Sequence, residues 1–395
     1  MKLPLAGVRV LTVEQYGAGP FGTQYLADQG AEVIKIESPS MGGDYARAVG
    51  PYFFADEHSQ FFHSFNRNKK SLSLDISKPE GKEVFHKLVT TADAVTSNAR
   101  GDVPARLGIT YEELGAINPK IVCAHLSAYG REGSRANWPG FDYLMQAETG
   151  YFALTGEPDS PPTRMGLSIV DLMTGLGLAY SVAIGVLCAR ETGMGRDMDI
   201  SLFDTALFNL CYPGTWYLNA GVNQQREPRS GHPSLVPCAL YTTKDGWIYI
   251  MCNKEKFWPA LCDAIERPEW ADDPRFSTFA ERLGNRMLLQ DLLDAELTQK
   301  STAEWLEIFA GNVPAAPLND VKSALDNPFV AERGLIQTLD LEGHGDIRLI
   351  DTPIKSGVST PSKPAPTLGE QTDELLDEIG ISAERRAALK AGGVI

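Results

Sequence analysis

The sequence is poor in cysteine, and its cysteines show no metal-binding pattern. Only six occur among 395 residues, and no two stand in CxxC or another metal-ligand spacing. The spacing therefore predicts no metal site. Because the cysteines sit mostly in apolar surroundings, we expect them to be reduced core residues of a cytoplasmic protein. They are Cys123, Cys188, Cys211, Cys238, Cys252 and Cys262.

Positive charge is also scarce. Lys and Arg total 36 against 51 Asp and Glu, which gives a formal net charge of −15. A chain with this balance is a poor match for nucleic acid or for an anionic membrane surface. Any anionic ligand must therefore be held by a local basic pocket, against the overall field. The length and the 43% hydrophobic content are enough for a full core, in about two or three domains.

The sequence has no secretory signal and one long apolar run. The first residues lack a long apolar core and a small-residue cleavage site, so no export is expected. The apolar run, Leu167–Ala189, is long enough to raise the question of a membrane span, but it contains Asp171. Placing that charge in lipid would cost about 2.5–3.5 kcal/mol or more. The run therefore predicts a helix buried in a globular core.

The first third of the chain alternates β-branched runs with amphipathic stretches. This order predicts an α/β fold, with a parallel sheet and helices on its faces. The segments are Val8–Val13, Gly22–Gln29, Val33–Ile36, Gly81–Thr90, Ala94–Thr96 and Ile121–Leu126. From about Phe141 the pattern turns helical, and it ends with a helical stretch over Ile200–Leu218.

The pattern changes twice more along the chain. A polar stretch at 216–232 predicts a linker, and a hairpin signal followed by helices predicts a smaller α+β domain over 233–324. Strand-like pieces return in the tail. The small α+β region therefore lies between two α/β segments, residues 1–215 and 325–395.

Gly17, Gly19 and Gly22 spell G-x-G-x-x-G between a predicted strand and a predicted helix. Taken literally, this is a dinucleotide-binding fingerprint, with the acid Glu37 downstream. Pro20 inside the motif and a lysine just before that acid argue against NAD or FAD. The loop could still present backbone N–H groups to another nucleotide.

A series of short motifs runs through nearly the whole chain in one order. On these residues the chain resembles the class III (CaiB/BaiF) CoA-transferases, which include formyl-CoA transferase and carnitine CoA-transferase. The motifs are Ala18–Pro20, Gly30–Glu37, Gly43–Arg47, Asn68–Asp75, Arg106–Gly108, Asn118–Val122, Ser127–Gly130, Gly195–Arg196, Gly231–Pro233 and Ala365–Glu370.

The resemblance implies a fold, an assembly and a reaction. A large Rossmann-like α/β domain would be built from both chain ends, residues 1–215 and 325–395, and the small domain from the middle. Two such chains would interlock as a homodimer. The reaction would move coenzyme A (CoA) from an acyl-CoA to a carboxylic acid. Acyl-CoA would be a substrate, and no permanently bound cofactor is expected.

Asp171 stands where the family has its nucleophilic aspartate, in a segment similar to Gly166–Gly175. The residues point to it independently, because it is the only formal charge between Arg164 and Arg190. At the head of an apolar helix, N–H groups and the helix dipole stabilise a carboxylate by about 0.3–1 kcal/mol. The alternative is that Asp171 is only a helix cap. As a nucleophile it would form an acyl anhydride and then an aspartyl-CoA thioester.

The resemblance also implies the residues that contact the ligands. The expected CoA contacts are Ala18, Lys69, Lys70, Asn98, Arg106, Tyr129 and Gly130. Weaker candidates for binding the acid are Arg47, Gly231 and His232, and Gly231 is also a candidate oxyanion donor. Two alternatives stay open: Lys69 and Lys70 could form a solvated turn, and Tyr129 could be a buried ring.

The chain departs from formyl-CoA transferase at three positions that bear on binding. Gly17, Ser38 and Ser127 replace a Gln, an Arg and a Lys of that enzyme. The arginines that could compensate are Arg47, Arg100 and Arg131. The mobile glycine-rich loop of the family's small domain is not obvious in this sequence.

Two other functions are weighed against CoA transfer. Racemases of 2-methylacyl-CoA share the fold and need a histidine as a second base, but Phe141 holds that place here. A catalytically silent CoA-binding protein is the other alternative, and the intact Asp171 argues against it.

Overall fold

The computed structural model describes residues 2–55, 58–358 and 361–395. The strands are β1 (Arg9–Val13), β2 (Glu32–Glu37), β3 (Lys70–Ser73), β4 (Ala94–Ser97), β5 (Val122–Ser127), β6 (Arg196–Ser201), β7 (Cys238–Thr242), β8 (Trp247–Met251), β9 (Ala315–Pro317), β10 (Ile336–Leu341) and β11 (Gly345–Ile350). The helices are α1 (Ala18–Asp28), α2 (Gln60–Asn66), α3 (Pro79–Val89), α4 (Val103–Leu107), α5 (Tyr111–Leu114), α6 (Asp142–Glu148), α7 (Tyr151–Leu154), α8 (Ile169–Thr192), α9 (Leu202–Phe208), α10 (Cys211–Ala220), α11 (Phe257–Ala264), α12 (Phe279–Gly284), α13 (Arg286–Leu297), α14 (Thr302–Phe309), α15 (Val321–Leu325), α16 (Pro328–Glu332), α17 (Thr372–Glu378) and α18 (Ala383–Ala391).

The chain divides into two compact units. The first consists of residues 1–149, 165–211 and 331–395, and the second of residues 150–164 and 212–330. In the first unit the two ends of the chain share one core, because Leu375 and Leu376 of α17 join the cluster that contains Leu72 and Val95. Residues 216–220, predicted to begin a linker, lie in α10.

A six-stranded parallel sheet lies at the centre of the first unit, in the order β3-β2-β1-β4-β5-β6. Every residue of β4 and β5 is buried, as in parallel sheets that are covered on both faces. The predicted α/β class with a parallel sheet is confirmed. Because the strand order reverses between β1 and β4, a crevice opens at their carboxyl ends.

The second unit contains a three-stranded antiparallel sheet, β7-β8-β9. The predicted hairpin is present as β7 and β8, which are joined by a short turn. Helices α11, α13 and α14 pack against the sheet and bury Trp258 and Trp305 among aliphatic side chains.

The long apolar helix α8 belongs to the first unit. It lies against α1, β5 and β6. Among the described residues it is the one helix with the length and composition of a membrane span, and half of its most apolar part is buried. Its buried residues recur at helical spacing, from Val170 through Thr174 and Leu178 to Val182. This pattern of burial against the sheet is typical of a core helix.

Candidate active site

A cavity of about 1080 Å³ opens in the first unit at the carboxyl ends of the parallel strands. Its lining comes from the segments that follow β1, β2, β4 and β5 and from the first turns of α1, α6 and α8. Open α/β sheets bind their ligands at this position, where the strand order reverses. The cavity is therefore the candidate active site of this unit.

Asp171 lies on the cavity wall, in the first turn of α8. Its backbone N–H donates a hydrogen bond of 2.9 Å to Oδ2 of Asp142, the first residue of α6. Gly17 is its neighbour, since a Cβ atom there would lie 3.2 Å from Oδ2 of Asp171. Burial, and then the charge of Asp142, raise the pKa of Asp171 to about 7. The carboxyl group is thus beside a residue that has no side chain to cover it.

Hydrogen bonding does not support the helix-cap alternative for Asp171. The N-cap residue of α8 is Ser168, and no donor among the described residues bonds the Asp171 carboxylate. A capping aspartate would accept a hydrogen bond from an N–H of its own first turn. The lone pairs of Asp171 are therefore not used in capping.

Two residues of α6 hold the chain on either side of Ser168. Oδ1 of Asp142 accepts a 2.6 Å hydrogen bond from Nε2 of Gln146, one turn later. Gln146 also donates to the carbonyl oxygen of Leu167 at 3.1 Å and accepts from the N–H of Met165 at 3.0 Å. Sequence analysis missed both residues. The available signal was an acid and an amide four residues apart on a predicted helix.

The glycines of the G-x-G-x-x-G motif allow close packing. A Cβ atom on Gly19 would lie 2.9 Å from the side chain of Asn98, and one on Gly22 would lie 2.3 Å from the carbonyl oxygen of Gly175. Neither position leaves room for a side chain. These two glycines therefore have a steric role that requires no dinucleotide.

Three of the predicted CoA contacts line the cavity: Ala18, Asn98 and Arg106. The amide of Asn98 donates to the carbonyl oxygen of Gln15 at 2.7 Å and accepts from the N–H of Gln15 at 2.8 Å. These bonds join the segments that follow β4 and β1. The Arg106 side chain is 64% exposed and lies 3.5 Å from Asp102, so its guanidinium is accessible to an anion.

The two predicted lysines do not line this cavity. Lys69 is buried, and its ammonium donates to Oε1 of Glu14 at 2.8 Å, to the Pro20 carbonyl at 2.9 Å and to Oδ1 of Asn66 at 3.0 Å. All three N–H groups are used, so the expectation that Lys69 meets a phosphate needs correction. Lys70 instead forms ion pairs with Glu32 and Glu374. The predicted solvated turn is also wrong for Lys69, because the side chain is buried.

Tyr129 and Gly130 also lie outside the cavity lining. The Tyr129 hydroxyl donates to Glu148 at 2.9 Å, and its ring meets Trp138 edge to face, with centroids 6.1 Å apart. The N–H of Gly130 donates to the hydroxyl of Ser127 at 3.0 Å. Both residues are therefore bonded within the protein.

Arg47, the arginine predicted to bind the acid, also makes its contacts within the protein. Arg47 forms a two-pronged pair with Glu37, at 2.9 and 2.7 Å, and donates to the carbonyl oxygen of Pro366. Of the other arginines expected to compensate, Arg100 lines the cavity and pairs with Asp102 at 3.2 Å. Arg131 does not line it, and instead faces acids on β6.

Gly231 and His232 belong to the second unit. The Nδ1 atom of His232 accepts from the N–H groups of Ser234 and Leu235, each at 3.1 Å. The N–H of Gly231 donates to the carbonyl oxygen of Pro228 at 3.1 Å. In this conformation the Gly231 N–H is therefore engaged within its own turn.

The comparisons with known proteins agree on one family. Residues 5–372 match the model of CoA-transferase family III. The chain is 32% identical to the succinate–glutarate CoA-transferase of Agrobacterium fabrum, over 96% of each protein. It is 35% identical to the acetyl-CoA:oxalate CoA-transferase of Acetobacter aceti, over 95% of this chain and 96% of that enzyme. Among solved structures, a CAIB/BAIF family protein from Brucella suis is similar, with a TM-score of 0.81, 31% identity and coverage of 96% of this chain and 100% of that one.

Proposed function

Because the chain belongs to CoA-transferase family III, we propose that it moves CoA between two carboxylic acids with Asp171 as the covalent nucleophile. The observation that carries this proposal is the position of Asp171, a partly buried carboxyl group on the wall of the strand-end cavity, next to Gly17. The relatives support the reaction class, since they are CoA-transferases with carboxylic acids in their names.

The reaction balances without any cofactor or added proton. An oxygen of Asp171 attacks the thioester carbonyl carbon, the C–S bond breaks, and CoA leaves as a thiolate with the bonding pair. The thiolate then attacks the aspartyl carbonyl of the anhydride, and the first acid departs as a carboxylate. The acceptor carboxylate attacks the carbonyl carbon of the aspartyl-CoA thioester, the C–S bond breaks, and a second anhydride and free CoA thiolate form. CoA thiolate finally takes the new acyl group and frees Asp171.

Asp142 has a positioning role in this proposal. It accepts a hydrogen bond from the backbone N–H of Asp171, and Gln146 holds its other oxygen. This fixes the turn that carries the nucleophile, which favours attack in one geometry. Phe141, just before Asp142, has no titratable group, so the cavity lacks the second base that a racemase needs at this position.

The ionisation of Asp171 should govern the pH dependence of the enzyme. Only the carboxylate is nucleophilic, so kcat/KM should rise with pH and level off above the Asp171 pKa of about 7. In Asp142→Asn the amide oxygen can still accept from the Asp171 N–H, but the repelling charge is gone. The pKa of Asp171 should fall, and the acid limb of the kcat/KM profile should move to lower pH. An unmoved limb in a variant that unfolds like the wild type would contradict the assignment.

Ala18, Asn98 and Arg106 are the CoA contacts that the cavity supports best. Arg106 is the one suited to the phosphates, because its guanidinium is exposed and cationic. We expect Arg106→Gln to raise the KM for acyl-CoA about tenfold, with kcat nearly unchanged. Arg348→Gln, an exposed arginine on β11, is the matched control and should leave KM unchanged. Equal effects from both variants would refute the role of Arg106.

The proposed assembly is a homodimer in the cytoplasm. Helix α8 supports a dimer because a row of its apolar side chains is exposed at helical spacing: Leu176 (49%), Tyr180 (66%), Ile184 (37%) and Leu187 (69%). Exposed apolar rows of this kind favour a protein contact. Five buried or partly buried cysteines, Cys123, Cys188, Cys238, Cys252 and Cys262, are free thiols, which supports a reducing compartment.

Mass spectrometry of the enzyme incubated with an acyl-CoA and hydroxylamine tests the proposal. An activated ester or thioester on Asp171 should be captured as a hydroxamate, which adds mass to the peptide that carries this residue. The adduct should depend on the thioester. Exchange of CoA between two acids without any adduct on Asp171 would rule out Asp171 as the nucleophile.

A further inference from the structure

Two aromatic residues of the cavity lining are sequence neighbours of residues that contact Asp171. Tyr16 directly precedes Gly17, whose Cβ position is 3.2 Å from Oδ2 of Asp171. Phe141 directly precedes Asp142, which accepts from the Asp171 N–H. Both rings line the cavity, with 43% and 68% of their surface exposed. An apolar wall therefore borders the nucleophile at two points.

The wall beside Tyr16 continues through further rings of the same cavity. The Tyr16 ring lies 5.0 Å from that of Phe61 and 6.4 Å from that of Tyr45, and Phe65 is 5.1 Å beyond Phe61. These are the contact distances of packed aromatic groups. Together they form an apolar surface much larger than one ring.

The backbone at Tyr16 is strained and firmly held. Its φ of 70° is in the left-handed region that residues with side chains seldom adopt. The N–H of Tyr16 donates to Oδ1 of Asp44 at 2.9 Å, and the other Asp44 oxygen lies 2.7 Å from the buried ammonium of Lys35. Strain that the surroundings maintain in this way is typical of functional sites. The backbone that carries the Tyr16 ring is therefore held at the cavity wall by the protein itself.

The charges on the cavity wall do not suit a second carboxylate. Among the described residues that line it, the cations are Arg100 and Arg106. Arg100 pairs with Asp102, and the proposed function uses Arg106 for the CoA phosphates. Asp142 lies at the base of the nucleophile's turn and opposes further negative charge there. A dicarboxylate would therefore meet no unassigned cation among the described lining residues, and a carboxylate left unpaired against aromatic rings is costly.

We propose that the acid handled by this enzyme is a monocarboxylate with an aromatic ring, and that Tyr16 and Phe141 contact that ring beside Asp171. This inference rests on the proposed function. The substrate class that it names differs from glutarate and oxalate, the acids in the names of the two relatives. The carboxyl carbon reacts at Asp171 by the same balanced steps. The ring of the acid lies against the apolar wall instead of in water.

Isotope exchange with the wild-type enzyme tests the substrate class without any variant. 3-Phenylpropanoyl-CoA is incubated with labelled 3-phenylpropanoate, and succinyl-CoA separately with labelled succinate. We expect kcat/KM for the aromatic pair to exceed that for succinate by about tenfold or more, as expected when an apolar site rejects a charge. Exchange with succinate that is equally fast or faster would overturn the inference.

A variant then tests the contact with the Phe141 ring. Phe141→Ala should lower kcat/KM for the aromatic pair about tenfold, with a much smaller change for succinate. Phe329→Ala, an exposed ring on α16 of the second unit, is the control and should change neither. Equal losses with both acids in Phe141→Ala would overturn the contact with the ring.

The hydroxylamine experiment separates failure of this inference from failure of the proposed function. An Asp171 adduct with succinyl-CoA but not with 3-phenylpropanoyl-CoA would leave the nucleophile in place and overturn the substrate class. No exchange and no adduct with either thioester would overturn both.

Discussion

Replacing Asp171 by Asn is expected to lower the rate of CoA transfer by about 10⁴-fold or more. The amide has nearly the same shape but cannot form the anhydride, so the covalent route is lost and not merely slowed. The first turn of α8 should stay in place, because its hydrogen bond to Asp142 comes from the backbone of residue 171. Initial rates of exchange between a labelled acid and its CoA ester measure the effect.

The same variant should be at least as stable as the wild type at alkaline pH. In the folded protein the pKa of Asp171 is about 7, mainly because of burial, and in the unfolded chain it is near the ordinary value of about 3.9. Folding therefore favours the protonated form. The associated stability is present below the unfolded pKa and is lost as pH rises through 7. The asparagine side chain of the variant carries no charge to bury, so denaturant unfolding at pH 8 should show no loss of stability.

A matched aspartate separates the loss of chemistry from a general effect of Asp-to-Asn replacement. Asp204 also lies in the first turn of a helix of the first unit, α9, but it is exposed. Asp204→Asn should transfer CoA at nearly the wild-type rate. Residual activity of a tenth or more in a pure, folded Asp171→Asn enzyme would refute covalent catalysis by Asp171.

Features that stand out in the local sequence were the easier ones to select as candidates. Asp171 is a single charge in a long apolar run, and such a residue is either costly or functional in any fold. The buried strands β4 and β5 are short runs of apolar and small residues, which predict a parallel sheet. By contrast, the sheet-edge strand β6 is only partly buried and carries charged residues, so the strand was missed and its last residues were predicted as helix.

The direction of a side chain and its distant partners could not be predicted from the local sequence pattern. Lys69 and Lys70 are neighbours in sequence, yet one is buried against Glu14 and the other pairs with Glu374, which is 304 residues away. No rule of residue spacing predicts an ion pair between residues so far apart in the sequence. The sequence leaves Arg47 open either to a substrate or to a structural pair, and it does not identify Glu37 as the partner. Both cases arise because an ion pair depends on tertiary contacts, and local sequence shows only charges.

Replacing Gly22 by Ala is expected to destabilise the first unit by about 3 kcal/mol. The added methyl group would lie 2.3 Å from the carbonyl oxygen of Gly175, an atom of the α8 backbone that cannot move aside alone. Either α1 and α8 separate or the backbone of α8 shifts. Gly175 is one turn after Asp171, so the shift would reach the nucleophile. Urea denaturation measures the loss of stability, and exchange assays measure the loss of transfer.

Gly177→Ala on α8, the helix that Gly22 of α1 faces, provides the control, and its expected effect has the opposite sign. A Cβ atom there would lie 3.7 Å from its nearest neighbour, a methyl group of Ile200, which is ordinary van der Waals contact. Alanine is favoured over glycine inside a helix by about 0.5–1 kcal/mol, so this variant should gain stability. Because helix propensity favours alanine at both sites, a loss at Gly22 with a gain at Gly177 can come only from the approach of the two backbones. Equal gains at both positions would show that α1 and α8 are not in close contact at Gly22.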